Sequence, residues 1–136
     1  EGNSYSIDLG IARYFGSDEI SMSFTYSLDN LVDSTESVGS NDSKGLYANY
    51  FKQIGKNWTF DLSLSYSLTD YDPDPDGFRR EDVTTTITAK ISYQLIKSTS
   101  LYISNTNTRN SSNLASGDED YNYIQNKLAG GLSIYF

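Results

Sequence analysis

Cysteine and histidine are both absent from this chain. No disulfide or thiolate metal site can form. The commonest general base and metal ligand is missing as well. Proline is nearly absent: Pro73 and Pro75 are the only two, in one acidic stretch. No run of ~18 apolar residues occurs, so no helix of this sequence can cross a bilayer. Basic residues are few, 10 Lys and Arg against 18 Asp and Glu, for a formal net charge of -8. Phosphate backbones bind basic surfaces, which argues against a nucleic-acid partner. The residues present assemble no set for catalysis and imply no cofactor, so the expectation is that the chain is not an enzyme.

What is there is alternation. Trp58, Phe60, Leu62, Leu64, Tyr66 and Leu68 are separated by Thr59, Asp61, Ser63, Ser65 and Ser67. A strand puts the first set on one face and the second on the other, whereas a helix would scatter both around its circumference. Ile20, Met22, Phe24, Tyr26 and Leu28 repeat the pattern, as do Val83, Ile87, Ala89, Ile91, Tyr93 and Leu95. Tyr5, Ile7, Leu9 and Ile11 open the chain in the same way. Around residues 45–54 either Leu46, Ala48 and Tyr50 or Tyr47, Asn49 and Phe51 can form the apolar face. The stretch after Leu101 and Ile103 turns polar. The last strand places Ile124, Leu128, Leu132, Ile134 and Phe136 together.

These patterns predict seven strands, near 3–15, 20–31, 44–54, 58–71, 82–97, 100–111 and 121–136. Most reach ten residues or more, longer than the ~5–6 usual in globular proteins and enough for the ~9–11 of a tilted membrane-crossing strand. The connections alternate. Gly16–Glu19, Gly55–Asn57 and Lys97–Ser100 are tight. Val32–Ser43, Asp72–Glu81 and Ser112–Asp120 are longer and polar. Outer-membrane barrels have short periplasmic turns and long external loops. The low mean hydropathy, -0.52, suits strands that are apolar only at every second position. A soluble sandwich or ligand-binding barrel alternates too. Its water-facing side carries more Lys and Glu than the Ser and Thr seen here.

The tail, Leu128-Ala129-Gly130-Gly131-Leu132-Ser133-Ile134-Tyr135-Phe136, resembles the terminal strand of bacterial outer-membrane proteins. That pattern ends on an aromatic residue, with apolar residues at alternate positions before it and a glycine near the end. Gly131, Leu132, Ile134 and Phe136 fit it, and Ala129 departs from it. The resemblance implies recognition of this strand by the barrel assembly machinery. The last third is also similar to the C-terminal strands of β-barrel porins linked to exopolysaccharide systems. Tyr93-Gln94-Leu95, Asn107–Ser112 and Asp120–Tyr123 carry that likeness.

The fold class expected is therefore all-β: an antiparallel up-and-down transmembrane β-barrel, one domain over residues 1–136, with about seven strands. Bacterial single-chain barrels have even strand numbers and both termini in the periplasm. With Phe136 at the periplasmic rim, seven strands put Glu1 on the opposite side. The expectation is that the chain is the C-terminal part of a larger barrel, completed by further strands or by other subunits. Short Ser and Thr side chains would fill a narrow barrel poorly and suit a wide, wet lumen.

Asp8, Asp29, Asp61, Lys90 and Lys127 fall on the polar face and are candidates to line a pore and set its ion selectivity. A salt-bridge network between strands is the plainer reading. Asp72, Asp74, Asp76 and Gly77 spell D-x-D-x-D-G, the opening of a calcium loop. The closing Glu is absent, Val83 standing there, and an acidic external loop explains the run equally well. Arg79 and Arg80 could bind phosphate or sugar acids, or pair with neighbouring carboxylates. Trp58, Tyr14, Phe15, Tyr71, Tyr93, Tyr135 and Phe136 lie near strand ends, where aromatic girdles form. Together these imply a polar, water-filled pore in a Gram-negative outer membrane, for passive diffusion or export. The bilayer and lipopolysaccharide would be its surroundings. The alternative is a structural or interaction barrel: an anchor, adhesin or export-complex scaffold.

Overall fold

The computed structural model describes residues 2–31, 41–72, 77, 79–113, 115–116 and 119–134. Seven long strands form one antiparallel sheet in chain order: β1 (Gly2–Phe15), β2 (Asp18–Leu31), β3 (Asn41–Ile54), β4 (Trp58–Tyr71), β5 (Glu81–Ile96), β6 (Thr99–Ser112) and β9 (Tyr123–Ile134). Between β6 and β9 a separate ribbon pairs β7 (Ala115–Ser116) with β8 (Glu119–Asp120). Among the described residues there is no helix. The seven long strands pair in chain order, with only the short β7–β8 ribbon intervening between β6 and β9, so the topology is an up-and-down meander. The sheet is open: β1 and β9 form its two edges. Both run in the same direction, because five strands, each antiparallel to the next, lie between them.

The expected strands are all present, with shifted ends. β2 begins at Asp18 and β3 at Asn41, because cross-strand hydrogen bonds continue past the last apolar residue. The ribbon β7–β8 falls where alternation gives no signal. The turns carry their own chemistry. Gly16 and Gly55 take φ of 64° and 68°, left-handed values that side chains with a Cβ rarely adopt. The Lys97–Ser98 turn has no glycine and follows a register shift between Gln94 and Ile96.

Register settles which residues share a face. Phe24 faces Leu46, and Leu46 faces Tyr66. The apolar side of β3 is therefore Leu46, Ala48 and Tyr50. One face of the sheet is apolar through rows such as Ile11, Met22, Ala48, Leu64 and Ile87. The other face is dominated by Ser and Thr. Among the described residues no hydrophobic side chain is buried; many large ones are exposed, from 38% (Leu62) to 74% (Ile11), and others such as Leu28, Phe60 and Leu68 are half-exposed. Ser63, Ser65 and Ser67, between them on β4, are only half-exposed. Along β2, β4 and β6 the apolar positions are mostly the open ones and the hydroxyl positions the sheltered ones, the reverse of a soluble sheet packed on a core, while the described side chains of β1 are exposed on both faces.

The hairpin ends step along the register. Phe15 and Asp18 close the first hairpin; Asp18 faces Lys52, and β3 runs two residues further, to Ile54. Trp58 faces Tyr93, and β5 runs three residues further, to Ile96. At the opposite end, Asp70 faces Glu81, whereas the last β6–β9 pair, Asn110 and Tyr123, is level with Thr84, three residues along β5.

Candidate functional site

The hydroxyl face is built from cross-strand pairs, because directly opposed side chains on one face lie within hydrogen-bond reach. Thr84 Oγ1 donates to Asn110 Oδ1 at 2.6 Å. Thr86 and Thr108 bond at 3.2 Å, and Thr88 and Thr106 at 3.1 Å. Ser43 and Thr69 bond at 2.8 Å, and Thr25 Oγ1 donates to Asp8 Oδ1 at 2.5 Å. Lys90 Nζ lies 4.9 Å from the Tyr102 ring centre.

Four of the pore-lining candidates have described side chains, and all four lie on this face. Asp8 and Asp61 stand on β1 and β4, Lys90 and Lys127 on β5 and β9. Asp61 is directly opposite Lys90 in the register. With its amide turned to satisfy both ends, Asn49 donates to Asp61 Oδ1 at 3.1 Å. Lys127 faces Thr106 and is exposed. Asp29 occupies a hydroxyl-face position opposite Ser4 and Asn41; its side chain lies outside those described. The described ion pairs involve none of these five residues.

At the long-loop end the structure gathers a cluster that the sequence does not announce. Arg80 Nε donates to Asp82 Oδ1 at 2.9 Å, and its Nη2 donates to Asp82 Oδ2. The guanidinium lies 4.6 Å from the Tyr71 ring centre and 3.7 Å from that of Tyr121. A planar cation between two rings and a carboxylate is the arrangement arginine favours over lysine. The hydrogen bond to Asp82 holds the Arg80 pKa above its usual value. Asp82 and Asn110 are each only 6% exposed, the described residues that count as buried polar groups. Asn110 Nδ2 donates to the Tyr121 carbonyl at 2.8 Å. Asn113 ties the neighbouring loop in: its Oδ1 accepts from Glu81 N at 2.8 Å, and its Nδ2 donates to the Arg79 carbonyl at 3.2 Å. Arg79 Nη2 lies 3.7 Å from Asp70 Oδ2. Tyr71, Arg80, Asp82, Asn110 and Tyr121 border a half-open cavity of about 370 Å³, together with Thr69, Thr84 and Tyr123. No family model, no curated protein and no solved structure matches this chain.

Of the cluster, sequence reading singles out Arg79 and Arg80 as cations beside acids, and Tyr71 only as a girdle residue. Tyr121 and Asn110 are missed because they lie 41 and 30 residues from Arg80 in number, and only the β4–β5–β6–β9 register brings them together. The polar turn of β6 after Ile103 was the available signal, since Asn110 is its end.

Asp72 of the acidic loop is exposed; Asp74 and Asp76 lie outside the described residues. Gly131 faces Tyr102, Leu132 faces Leu101 and Ile134 faces Thr99. Phe136 lies outside the described residues, as does Tyr135. Trp58 and Tyr93 pack on the apolar face beside the tight turns, their ring centres 4.7 Å apart and their planes tilted by 49°. Tyr71 and Tyr14 do not join them. Tyr71 faces Asn41 and Tyr14 faces Glu19, at hydroxyl-face positions.

Proposed function

We propose that the chain forms part of the wall of an outer-membrane β-barrel whose polar, water-filled lumen passes solutes by diffusion or export. The observation that carries this reading is the inverted exposure of the sheet. Large apolar side chains stand uncovered on all seven strands, while the hydroxyl positions of β2, β4 and β6 are mostly sheltered and those of β5 and β6 are hydrogen-bonded to each other. Lipid covers such a surface without any protein core, and water satisfies the hydroxyls on the other side.

Strand length and slope support it. The seven strands hold 12 to 16 residues, more than the ~9–11 that cross a bilayer with tilt. Their turns step by two or three residues for every two strands. At ~3.3 Å per residue and ~4.8 Å between strands, a wall with its turns in one plane tilts by about 35–45°, the range of membrane barrels. The packed Trp58 and Tyr93, with Phe15 on the same face, suit the interfacial girdle.

Two open edges running in the same direction fit a barrel completed by further strands. A fully antiparallel closure needs an odd number of them. Under this reading lipopolysaccharide and the bilayer surround the wall, and the assembly machinery reads Gly131, Leu132, Ile134 and Phe136. The function is non-catalytic.

Planar-bilayer recording of the purified protein tests the proposal. A steady conductance that tolerates voltage is expected. A silent barrel that still inserts would leave the anchor or scaffold role. A protein that stays dissolved without detergent would overturn the membrane reading altogether.

A further inference from the structure

The charge of the chain is unevenly distributed along the strands. Its formal charge is -8, yet at the tight-turn end Arg13, Lys52, Lys56 and Lys97 outnumber Asp18 and Glu19. Asp18 is already engaged: Lys52 Nζ and Tyr50 Oη donate to it at 3.1 and 3.0 Å, on the apolar face. Lys56 and Lys97 are different. Both are exposed, and the described ion pairs and hydrogen bonds engage neither ammonium group.

These two lysines sit on adjacent turns that the backbone locks together. Gln94 N donates to the Asn57 carbonyl at 2.7 Å, and Asn57 Nδ2 donates to the Gln94 carbonyl at 3.0 Å. Gln94 Nε2 donates to the Lys97 carbonyl at 3.3 Å. The result is a cleft of about 200 Å³ on the hydroxyl face, bordered by Lys56 and Lys97, the amide of Gln53, and the hydroxyls of Thr59 and Ser92. Among the described residues no carboxylate lines it. Asp61, the nearest acid inward on β4, stands opposite Lys90 and accepts from Asn49.

We infer that this cleft is an anion-docking site at the tight-turn mouth, taking a small oxyanion group: phosphate, sulfate or carboxylate. Two ammonium groups supply charge, and the hydroxyls and amides below them supply directed donors. Two locked turns keep the lysines on one mouth, which lowers the entropy of closing on a ligand. A bound anion at the mouth raises the local concentration of anionic solute entering from that side. The binding stands on the cleft alone; its role as an entrance rests on the pore reading above.

Binding is followed by isothermal titration calorimetry of the detergent-solubilised protein during separate titrations with inorganic phosphate, sulfate and citrate. The expected result is a saturable heat, with the three anions competing and sodium chloride weakening all of them. In the double variant Lys56→Gln, Lys97→Gln the apparent affinity falls at least tenfold. Lys97→Arg keeps it, and so does Lys44→Gln at the opposite end. Circular dichroism confirms the sheet in each variant. An unchanged response in the double variant, or no saturable response to any of the three anions, overturns the site. Conductance on the same preparation separates the two claims. Conductance without anion binding sinks the site alone, and anion binding by a protein that never inserts sinks the pore alone.

Discussion

The ring of Tyr102 lies across Gly131 in the neighbouring strand, so close that a Cβ on that glycine would sit 2.8 Å from the ring and its hydroxyl oxygen. The two residues face each other in the β6–β9 register. Glycine in a strand is a weak point, because it packs nothing and frees the unfolded backbone. Here the missing side chain is the seat for an aromatic one, which covers the exposed backbone. The ring also meets Lys90 on its way. The glycine of the terminal pattern thus has a packing role in the folded sheet.

Gly131→Ala is expected to displace Tyr102 and destabilise the sheet by about 1–3 kcal/mol. Gly130→Ala should cost less, since its added Cβ meets only the Tyr102 carbonyl oxygen, at 3.4 Å. Chemical unfolding in detergent checks both. In a Tyr102→Ala background the Gly131 substitution should become nearly neutral. An unchanged penalty there would refute the seat.

The Arg80–Asp82 pair should dominate the stability of the long-loop rim. Asp82→Asn leaves Arg80 between two rings without its carboxylate, and Arg80→Gln leaves a nearly buried carboxylate alone. Each is expected to cost about 2–3 kcal/mol, because the surviving partner stays desolvated. Arg80→Lys should recover little, having neither the fork nor the flat stacking face. Thermal unfolding of the three variants, with loop protection from hydrogen exchange, measures this. Equal stability of Arg80→Lys and the parent would contradict the stacked geometry.

Charge placed on the two faces should have opposite consequences. Leu64 lies mid-strand on the open apolar face, and Ser63 beside it on the sheltered face. In a membrane wall Leu64→Arg costs about 2–4 kcal/mol. Ser63→Arg in a wet lumen stays within about 0.5 kcal/mol. Folding into lipid vesicles, read by circular dichroism, gives the comparison. The reverse order would mean that the apolar side faces water or protein.

Lys90→Glu should move ion selectivity toward cations without stopping conduction. Lys90 and Lys127 are the bases of the hydroxyl face away from the rims, set against Asp8 and Asp61. Replacing one base by an acid leaves the local balance negative, and pore-lining charge biases permeant ions. The reversal potential in a potassium chloride gradient reads the shift. An unmoved reversal potential would remove Lys90 from the conduit.

Much of the wall was legible because the alternation has period two. The runs from Ile20 and Trp58 fix a face for every side chain in them. β3 was ambiguous for a physical reason: each alternate set, Leu46, Ala48 and Tyr50 or Tyr47, Asn49 and Phe51, contains large apolar or aromatic side chains, so neither face is cleanly polar. Pairing with Phe24 and Tyr66 decided it. Aromatic position was only half legible. Trp58 and Tyr93 pack on the apolar face, while Tyr71 lies under Arg80 on the other. Nearness to a strand end does not say which face a residue takes.

The order of elements, their length and the two chemically distinct faces were written in the chain, since each follows from spacing along a single strand. The rim around Arg80, the seat of Tyr102 on Gly131 and the cleft between Lys56 and Lys97 were decided only by folding. Each joins residues from different strands or turns, and which of them meet depends on register. Register is set by the sum of all cross-strand contacts, so a slip of one residue would have turned every one of these groups to the other face.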